Sequence, residues 1–285
     1  MAGILSRLGL SGGNGPNRVF RPMTDADVPA VLEIIYDHDE DDGEEAELVF
    51  RESLADKYVM EFEGRMMGMT GFRVDTHTNN TAWLSFTYIH SFFRGNGNGY
   101  WMMLELRNVL EAQGIERLFI ATSDYKDEDT GEDIYLPARN FYEHKLQARR
   151  DLWVEDFYAP GESRYVYSLP VTERSEAQSP IPEDATARFI GVEEVEESEA
   201  SYIAEWEMLP VEDGVTPSRF ETKTLAQLIE EVDSYDGRTL FVTLPDVVSA
   251  KHEAALKSAG FKDIGSLGDY FSAGVDEIWW SYRFD

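Results

Sequence analysis

Arg94-Gly95-Asn96-Gly97-Asn98-Gly99 places a glycine at every second position behind an arginine. Glycines at this spacing let the backbone aim its N–H groups at an anion that side chains would keep away, and a helix starting just afterwards adds a favourable dipole. Such a loop suits the binding of phosphate or a similar anion, with Arg94 as a charged partner. A tight turn with no ligand is the alternative that the loop alone leaves open. A dinucleotide fingerprint fits poorly, because the glycines follow a fourth strand reached through a meander and not the first strand of a βαβ unit.

Other chemistry is sparse. With no cysteine there is no disulfide, thiolate ligand or cysteine nucleophile. His77, His144 and His252 show no ligand spacing, and no serine sits in a nucleophile elbow. The acidic run from Asp37 to Glu45 lacks the spaced oxygens of a calcium loop, so no metal is expected and the run reads as a solvated loop. His90, at a strand end, is a candidate base because an unperturbed imidazole titrates near ~6.5; a structural histidine is the other reading.

The chain of 285 residues is long enough for two domains, and its 42% apolar and 13% aromatic content can fill their cores. With 55 acidic against 25 basic side chains, its net charge of −30 repels phosphate backbones and argues against nucleic-acid partners. No apolar run approaches the ~20 residues that span a bilayer, and a cytoplasmic location is expected. Residues 1–16 read as a flexible leader.

The elements around the glycine loop follow from periodicity and punctuation. Arg18 to Pro22 reads as a strand, and Thr24 to Asp27 offers an N-cap to a helix carrying Val28, Val31, Leu32 and Ile35 on one face. Lys57–Phe62 and Arg65–Val74 read as a hairpin turning at Glu63-Gly64, and Thr81–His90 as the strand that enters the loop. A helix is expected over Tyr100–Ala112, a buried strand over Arg117–Thr122, a short helix over Pro137–Lys145, and strands over Asp151–Phe157 and Arg164–Leu169. Residues 171–183 form a linker rich in Ser, Glu and Pro.

Beyond the linker the pattern partly returns. Leu240 to Asp246 echoes Leu118 to Asp124, and Asp269-Tyr270-Phe271-Ser272-Ala273-Gly274 echoes Asp156-Phe157-Tyr158-Ala159-Pro160-Gly161, with a helix between the echoes in both cases. Two echoes in one order point to a degenerate duplication. The second copy carries Thr216 to Thr222 in place of the glycine loop and is expected to lack the anion cradle.

The loop, preceded by Tyr88-Ile89-His90-Ser91-Phe92-Phe93, resembles the Arg/Gln-x-x-Gly-x-Gly/Ala site of the GNAT family of N-acetyltransferases. Val19 to Val28 resembles that family's first strand and helix, and Ala138 to Glu143 its late helix. The resemblance covers residues 17–170. It implies an α/β (α+β) fold, a GNAT-like twisted mixed sheet flanked by helices, followed by a smaller degenerate GNAT-like domain over residues 184–285.

By the same resemblance, acetyl-CoA is the acyl donor. The backbones of Ile89 and His90 would pair with its pantetheine arm, while Arg94, Gly95, Asn96, Gly97, Asn98, Gly99 and Tyr100 would hold its pyrophosphate. Tyr142 would protonate the departing thiolate, unless it is simply a core aromatic. The acceptor would be a small-molecule amine or a protein N-terminus or lysine, and the acids around Asp37–Asp41 would select it as a cation. The departures are a missing Gly-Phe after the late helix, where Leu146-Gln147 stands, Tyr135 in place of an asparagine, and Ser85, Phe86 and Thr87 where a carboxylate base is often found. His90, a water chain or Asp124 could then serve as base. A catalytically weak acyl-CoA sensor is the alternative. The C-terminal copy could cover the acceptor site, form a homodimer surface, or be purely structural.

Overall fold

The computed structural model describes residues 18–78, 80–127, 129–175, 179–209 and 222–284. They form two compact units, Met1–Arg73 with Leu84–Gln113, and Val74–Trp83 with Gly114–Asp285. These units divide the chain elsewhere than the repeats over 17–170 and 184–285 do. Among the described residues no helix is long and apolar enough to cross a membrane.

The first unit contains β1 (Arg18–Pro22), α1 (Val28–Tyr36), α2 (Glu40–Glu52), β2 (Lys57–Phe62), most of β3 (Arg65–Asp75) and β4 (Thr81–Ile89), and α3 (Asn98–Ala112), with strand order β1-β2-β3-β4. Glu63 and Gly64 take φ of 51° and 76°, the two left-handed residues of a tight hairpin turn between β2 and β3. A register shift pairs Met60 with Gly68 but Glu61 with Met66, leaving Met67 as an extra residue in β3. The extra residue reverses the side-chain alternation. Met69 accordingly joins Val59, Val31, Ile35, Ala46 and Phe50 in one cluster, whereas Met67 joins Met60 and Met102 of α3 in another.

Two expectations are corrected here. The acidic run after α1 is not a loop: Glu40–Glu52 is helical. Asp39 caps it by accepting the N–H groups of Asp41 (2.9 Å) and Asp42 (3.1 Å). Glu40, Asp41 and Asp42 occupy the first turn, where negative charge meets the positive end of the helix dipole, and Ala46 and Phe50 are buried. Asp27 precedes α1 without capping it. Its carboxylate takes a bidentate bond from Arg21 at 2.7 and 2.8 Å and also accepts from Thr24, tying β1 to the start of the helix.

The second unit contains the start of β4, β5 (Arg117–Ser123), α4 (Leu136–His144), β6 (Arg149–Ala159) and β7 (Glu162–Pro170), in strand order β4-β5-β7-β6. A separate five-stranded sheet follows, built from β8 (Thr186–Glu194), β9 (Ser201–Leu209), β10 (Thr239–Pro245), β11 (Lys262–Ser272) and β12 (Val275–Arg283), with α5 (Leu225–Asp233) and α6 (Asp246–Ser258), in the order β11-β12-β10-β9-β8. Both sheets are mixed.

The echoes seen in sequence recur as structure. Thr81–Trp83 pair in parallel with Arg117–Phe119, as Ser201–Ile203 do with Thr239–Phe241. Antiparallel ladders join β5 to β7 from Arg117/Pro170 to Ser123/Arg164, and β10 to β12 from Thr239/Arg283 to Pro245/Glu277. Asp156 and Asp269 both adopt positive φ (51° and 54°), and each accepts the N–H of a glycine five residues on, Gly161 at 2.8 Å and Gly274 at 2.9 Å.

The copies also grip each other reciprocally. The hydroxyl of Thr81 donates to the Tyr270 carbonyl, and that of Ser201 to the Phe157 carbonyl, both at 2.7 Å. Arg174, in the segment expected to be a linker, donates to Thr81 Oγ1 and the Tyr270 carbonyl, while Arg238 donates to Ser201 Oγ and the Phe157 carbonyl. A single hydrophobic cluster runs from Phe119, Val154 and Phe157 to Phe241, Tyr270 and Trp279.

Where the ladders end, equivalent positions have diverged: β7 carries Arg164 and β12 carries Glu277. Arg164 lies over the rings of Phe157 (4.7 Å), Trp83 and Trp279 (both 5.7 Å). Glu277 accepts the Trp279 indole N–H at 2.7 Å, and burial pushes its carboxyl up to about 7. Because the folded carboxyl binds a proton more tightly than the unfolded one, this group withdraws stability as pH rises through that window. Glu277→Gln is therefore expected to match the native chain near pH 4.5 and to exceed it by roughly 2–3 kcal/mol at pH 8. Urea melts of both proteins across pH would show this; a constant difference would contradict a proton-hungry Glu277.

Candidate functional site

The glycine loop lies in the first unit, between the end of β4 and α3. A 3-10 turn, Ser91–Phe93, leads out of the strand. Gly95 and Gly97 take φ of +81° and +74°, and a side chain added at either would meet open space, so the glycines serve backbone conformation and leave one side clear. Gly97 is the residue before α3, whose start has no side-chain cap and no acid in its first turn. The first N–H groups of a helix lack partners within it, so this end can receive an anion. Arg94 to Gly97 are exposed, whereas Asn98 is buried.

Side chains brace the loop from behind. Arg94 Nε donates to the Ile89 carbonyl (2.9 Å), and Asn98 Nδ2 to the Phe93 carbonyl (2.8 Å). Asn98 Oδ1 is buried with no hydrogen-bond partner among the described residues. An unpaired buried acceptor is costly, and a donor on a bound molecule would relieve it.

The strand end is equally fixed. Gly68 of β3 approaches β4 so closely that a Cβ there would sit 2.2 Å from the Tyr88 carbonyl. The His90 N–H donates to the carbonyl of the extra residue Met67 at 2.8 Å, and the His90 carbonyl accepts from Phe93. Of the groups expected to meet a pantetheine arm, the Ile89 carbonyl and both backbone groups of His90 are thus engaged within the unit. His90 Nδ1 accepts the Phe92 N–H at 3.1 Å, which leaves the neutral ring with its proton on Nε2. Such a ring donates at Nε2 and accepts at Nδ1.

Tyr100 is half-buried in the first turn of α3. The loop, Ile89, His90 and Tyr100 are therefore brought together in the first unit, while Tyr142 and Asp124 belong to the second. Tyr142, on α4, is buried beside Phe141 and Tyr167, and burial pushes its phenol up to about 12. Asp124 accepts the Ser163 N–H at 2.6 Å and the Tyr165 hydroxyl at 3.3 Å, which holds the start of β7.

The second copy shows the contrast. The start of α5 is closed by a capping box between Thr224 and Gln227. Near it lies a groove of about 650 Å³ lined by Phe189, Leu209, Leu225 and His252. Its cations are engaged, Lys223 with Glu231 and Arg188 with Glu207. Residues 216–221, expected to replace the glycine loop, lie outside the described residues.

A signal in the sequence that the motif reading passed over supports the loop. Acidic residues occur throughout the chain, yet none stands between Thr76 and Leu104. Strand, loop and helix start thus form an acid-free tract in a strongly anionic protein, which lowers the repulsion an incoming phosphate would feel.

Residues 25–146 match the model of the Acetyltransferase (GNAT) family. No curated protein matches the chain in sequence. Among solved structures, a protein from Desulfovibrio desulfuricans assigned to the GNAT family of acetyltransferases aligns over 54% of this chain and 99% of its own, at 20% identity and TM-score 0.48. The ribosomal-protein-S18-alanine N-acetyltransferase of Escherichia coli aligns over 56% and 98%, at 15% identity and TM-score 0.44. An aminoglycoside 6'-N-acetyltransferase complexed with coenzyme A aligns over 55% and 99%, at 13% identity and TM-score 0.46.

If His90 is a cap, His90→Ala should lower stability by roughly 0.5–2 kcal/mol, and His90→Asn, which keeps an acceptor near the Phe92 N–H, should recover most of it. Denaturant melts of the two variants decide; equal melts for native and His90→Ala would remove the capping role.

Proposed function

We propose that this chain, whose residues 25–146 match the model of the Acetyltransferase (GNAT) family, transfers an acetyl group from acetyl-CoA to a primary amine. The observation that carries the reading is the uncapped, acid-free start of α3 behind two left-handed glycines. The amides of Gly95 to Tyr100 and the Arg94 guanidinium hold the pyrophosphate. The pantetheine arm would then lie along the end of β4.

The reaction is direct attack within a ternary complex. The amine nitrogen adds to the thioester carbonyl, the C–S bond breaks, the nitrogen gives up a proton, and the thiolate gains one. Holding the partners together supplies much of the rate. With its phenol near 12, Tyr142 keeps its proton at neutral pH. From the resemblance of Ala138–Glu143 to the family's late helix alone, Tyr142 is the proposed hydrogen-bond donor to the thiolate, and the proton itself comes from solvent. His90 acts by orienting the strand end, not as the base.

The acids of the α1–α2 segment support a cationic acceptor, since Asp42 bonds the Tyr88 hydroxyl at the end of β4. A sensor that binds acyl-CoA without turnover is the second reading. It is favoured by the absence of a carboxylate on β4, where Thr87 is tied to Thr70 and to the Ser85 carbonyl.

Free-thiol release from acetyl-CoA against a panel of small amines and peptide N-termini tests both. Amine-dependent release is expected, with Arg94→Ala raising the acetyl-CoA KM severalfold at near-native kcat. Tyr142→Phe should lower kcat roughly 10–100-fold, the worth of a hydrogen bond to a charged group. Unchanged kcat would make Tyr142 a core aromatic. Binding of acetyl-CoA without release in any arm would favour the sensor.

A further inference from the structure

Acidic side chains outnumber basic ones 55 to 25 in this chain, so a basic side chain ordinarily finds a carboxylate. In the second unit Arg117 pairs with Asp269, Arg139 with Asp133 and Arg188 with Glu207. Arg164 is different. Among the described residues it makes no ion pair, and its Nε is buried without a hydrogen-bond partner. Glu277, at the equivalent place in the second copy, has no ion pair there either, and its carboxylate accepts from the Trp279 indole N–H. We propose that Arg164 and Glu277 form a binding site for a zwitterionic amino acid, Arg164 taking its carboxylate and Glu277 its ammonium group.

The two charges share one indole. The Arg164 guanidinium lies 5.7 Å from the centre of the Trp279 ring, and the N–H of that ring donates to Glu277 at 2.7 Å. They are near enough for Arg164 to favour the ionised carboxyl of Glu277, yet no ion pair closes between them. A ligand carrying both signs a few bonds apart can bridge that gap. The walls are fixed. Arg164 also lies over Phe157 at 4.7 Å and over Trp83 at 5.7 Å. The Trp83 N–H donates to the Tyr270 hydroxyl at 2.8 Å, and that hydroxyl donates to Asp75 at 2.5 Å. Each indole is thus oriented by its own hydrogen bond. Arg164, Glu277 and Trp83 all keep part of their surface open, so the site is not sealed.

Charge selects the ligand. An anion alone on Arg164 would face the Glu277 carboxylate, and a cation alone on Glu277 would face the guanidinium. An amino acid answers both at once. A guanidinium laid on aromatic faces is a preorganised fork for a carboxylate. Asp75 adds negative charge on the side of Glu277, where the ammonium group goes. Burial, joined by Asp75, pushes the Glu277 carboxyl up to about 7. Near neutrality that carboxyl is partly protonated, and an arriving ammonium group displaces the proton. Asp75 and Arg164 are the charged groups that act on it, and Tyr270 faces it as a neutral phenol.

Calorimetry in the absence of acetyl-CoA tests the site, with each of the twenty common amino acids as probe. No acetyl transfer is involved, so neither outcome bears on the proposed function. At least one amino acid should bind the native chain. Its amide and its N-acetyl derivative, which lack one charge each, should bind roughly 10–100-fold more weakly, the worth of a hydrogen bond to a charged group. Arg164→Gln and Glu277→Gln should each lose affinity by a similar factor. Binding near pH 7 should release protons, read as a heat that varies with the ionisation enthalpy of the buffer, and Glu277→Gln should abolish that release. Since Glu277→Gln is expected to be no less stable than native, its loss of binding would not reflect unfolding. No binding by any of the twenty overturns the site. Equal binding of the charge-deleted derivatives, or native affinity in either variant, overturns it as well.

Discussion

The start of α3 is the constraint on which the proposed function depends. A helix end leaves its first N–H groups without intrahelical partners. Of the six described α-helices α1, α3, α4 and α6 start without a side-chain cap, α1 and α4 with a proline in the first turn. Asp39 caps α2 and Thr224 caps α5. At α3 the preceding residue is Gly97, which has no side chain to offer, and Asn98 turns its amide back to Phe93. The left-handed glycines, the bracing of Arg94 on Ile89 and the acid-free tract from Thr76 to Leu104 are all consistent with that end being open to an anion in a chain of net charge −30, as the proposed function requires. The extra residue Met67 belongs to the same arrangement, because its carbonyl fixes the strand end from which the loop departs.

The C-terminal half repeats the frame, with a capping box at the start of its helix α5. Its ladders, its left-handed aspartate and its hydroxyl-to-carbonyl contact reproduce those of the first copy residue for residue. Thr81 and Ser201, with Arg174 and Arg238 behind them, make the grip reciprocal. Two identical subunits about an axis would place identical side chains at equivalent positions. Arg164 and Glu277 differ there, as a fused pair free to diverge allows. The start of α3 without a side-chain cap and the capping box at α5 are a further difference between the two halves.

Much of this was legible in the sequence because it is written in backbone necessity. Glycines that need positive φ, the Glu63-Gly64 turn, and the Asp-to-Gly hairpins at Asp156 and Asp269 announce themselves by residue type. What was not legible depends on pairing across distance. Helix α2 looked like a loop because acids dominate its first half; that charge is favourable at a helix N-terminus, and the apolar face of Ala46 and Phe50 is too sparse to stand out. Arg174 looked like linker because its partners come from β4 and β11, and nothing in the sequence singled out Glu277, whose indole partner Trp279 lies two residues on in β12. The engagement of His90 Nδ1 is a matter of geometry that residue type does not carry.

The central claim is that the open end of α3, and not that of α5, receives the phosphates of coenzyme A. Amide hydrogen exchange with and without coenzyme A tests it most directly. The account predicts slowed exchange at Gly95 to Tyr100 on addition of the ligand, with Leu225 to Gln227 at the start of α5 unchanged. Exchange at the glycine loop that ignores coenzyme A, or protection that falls on α5 instead, would contradict it.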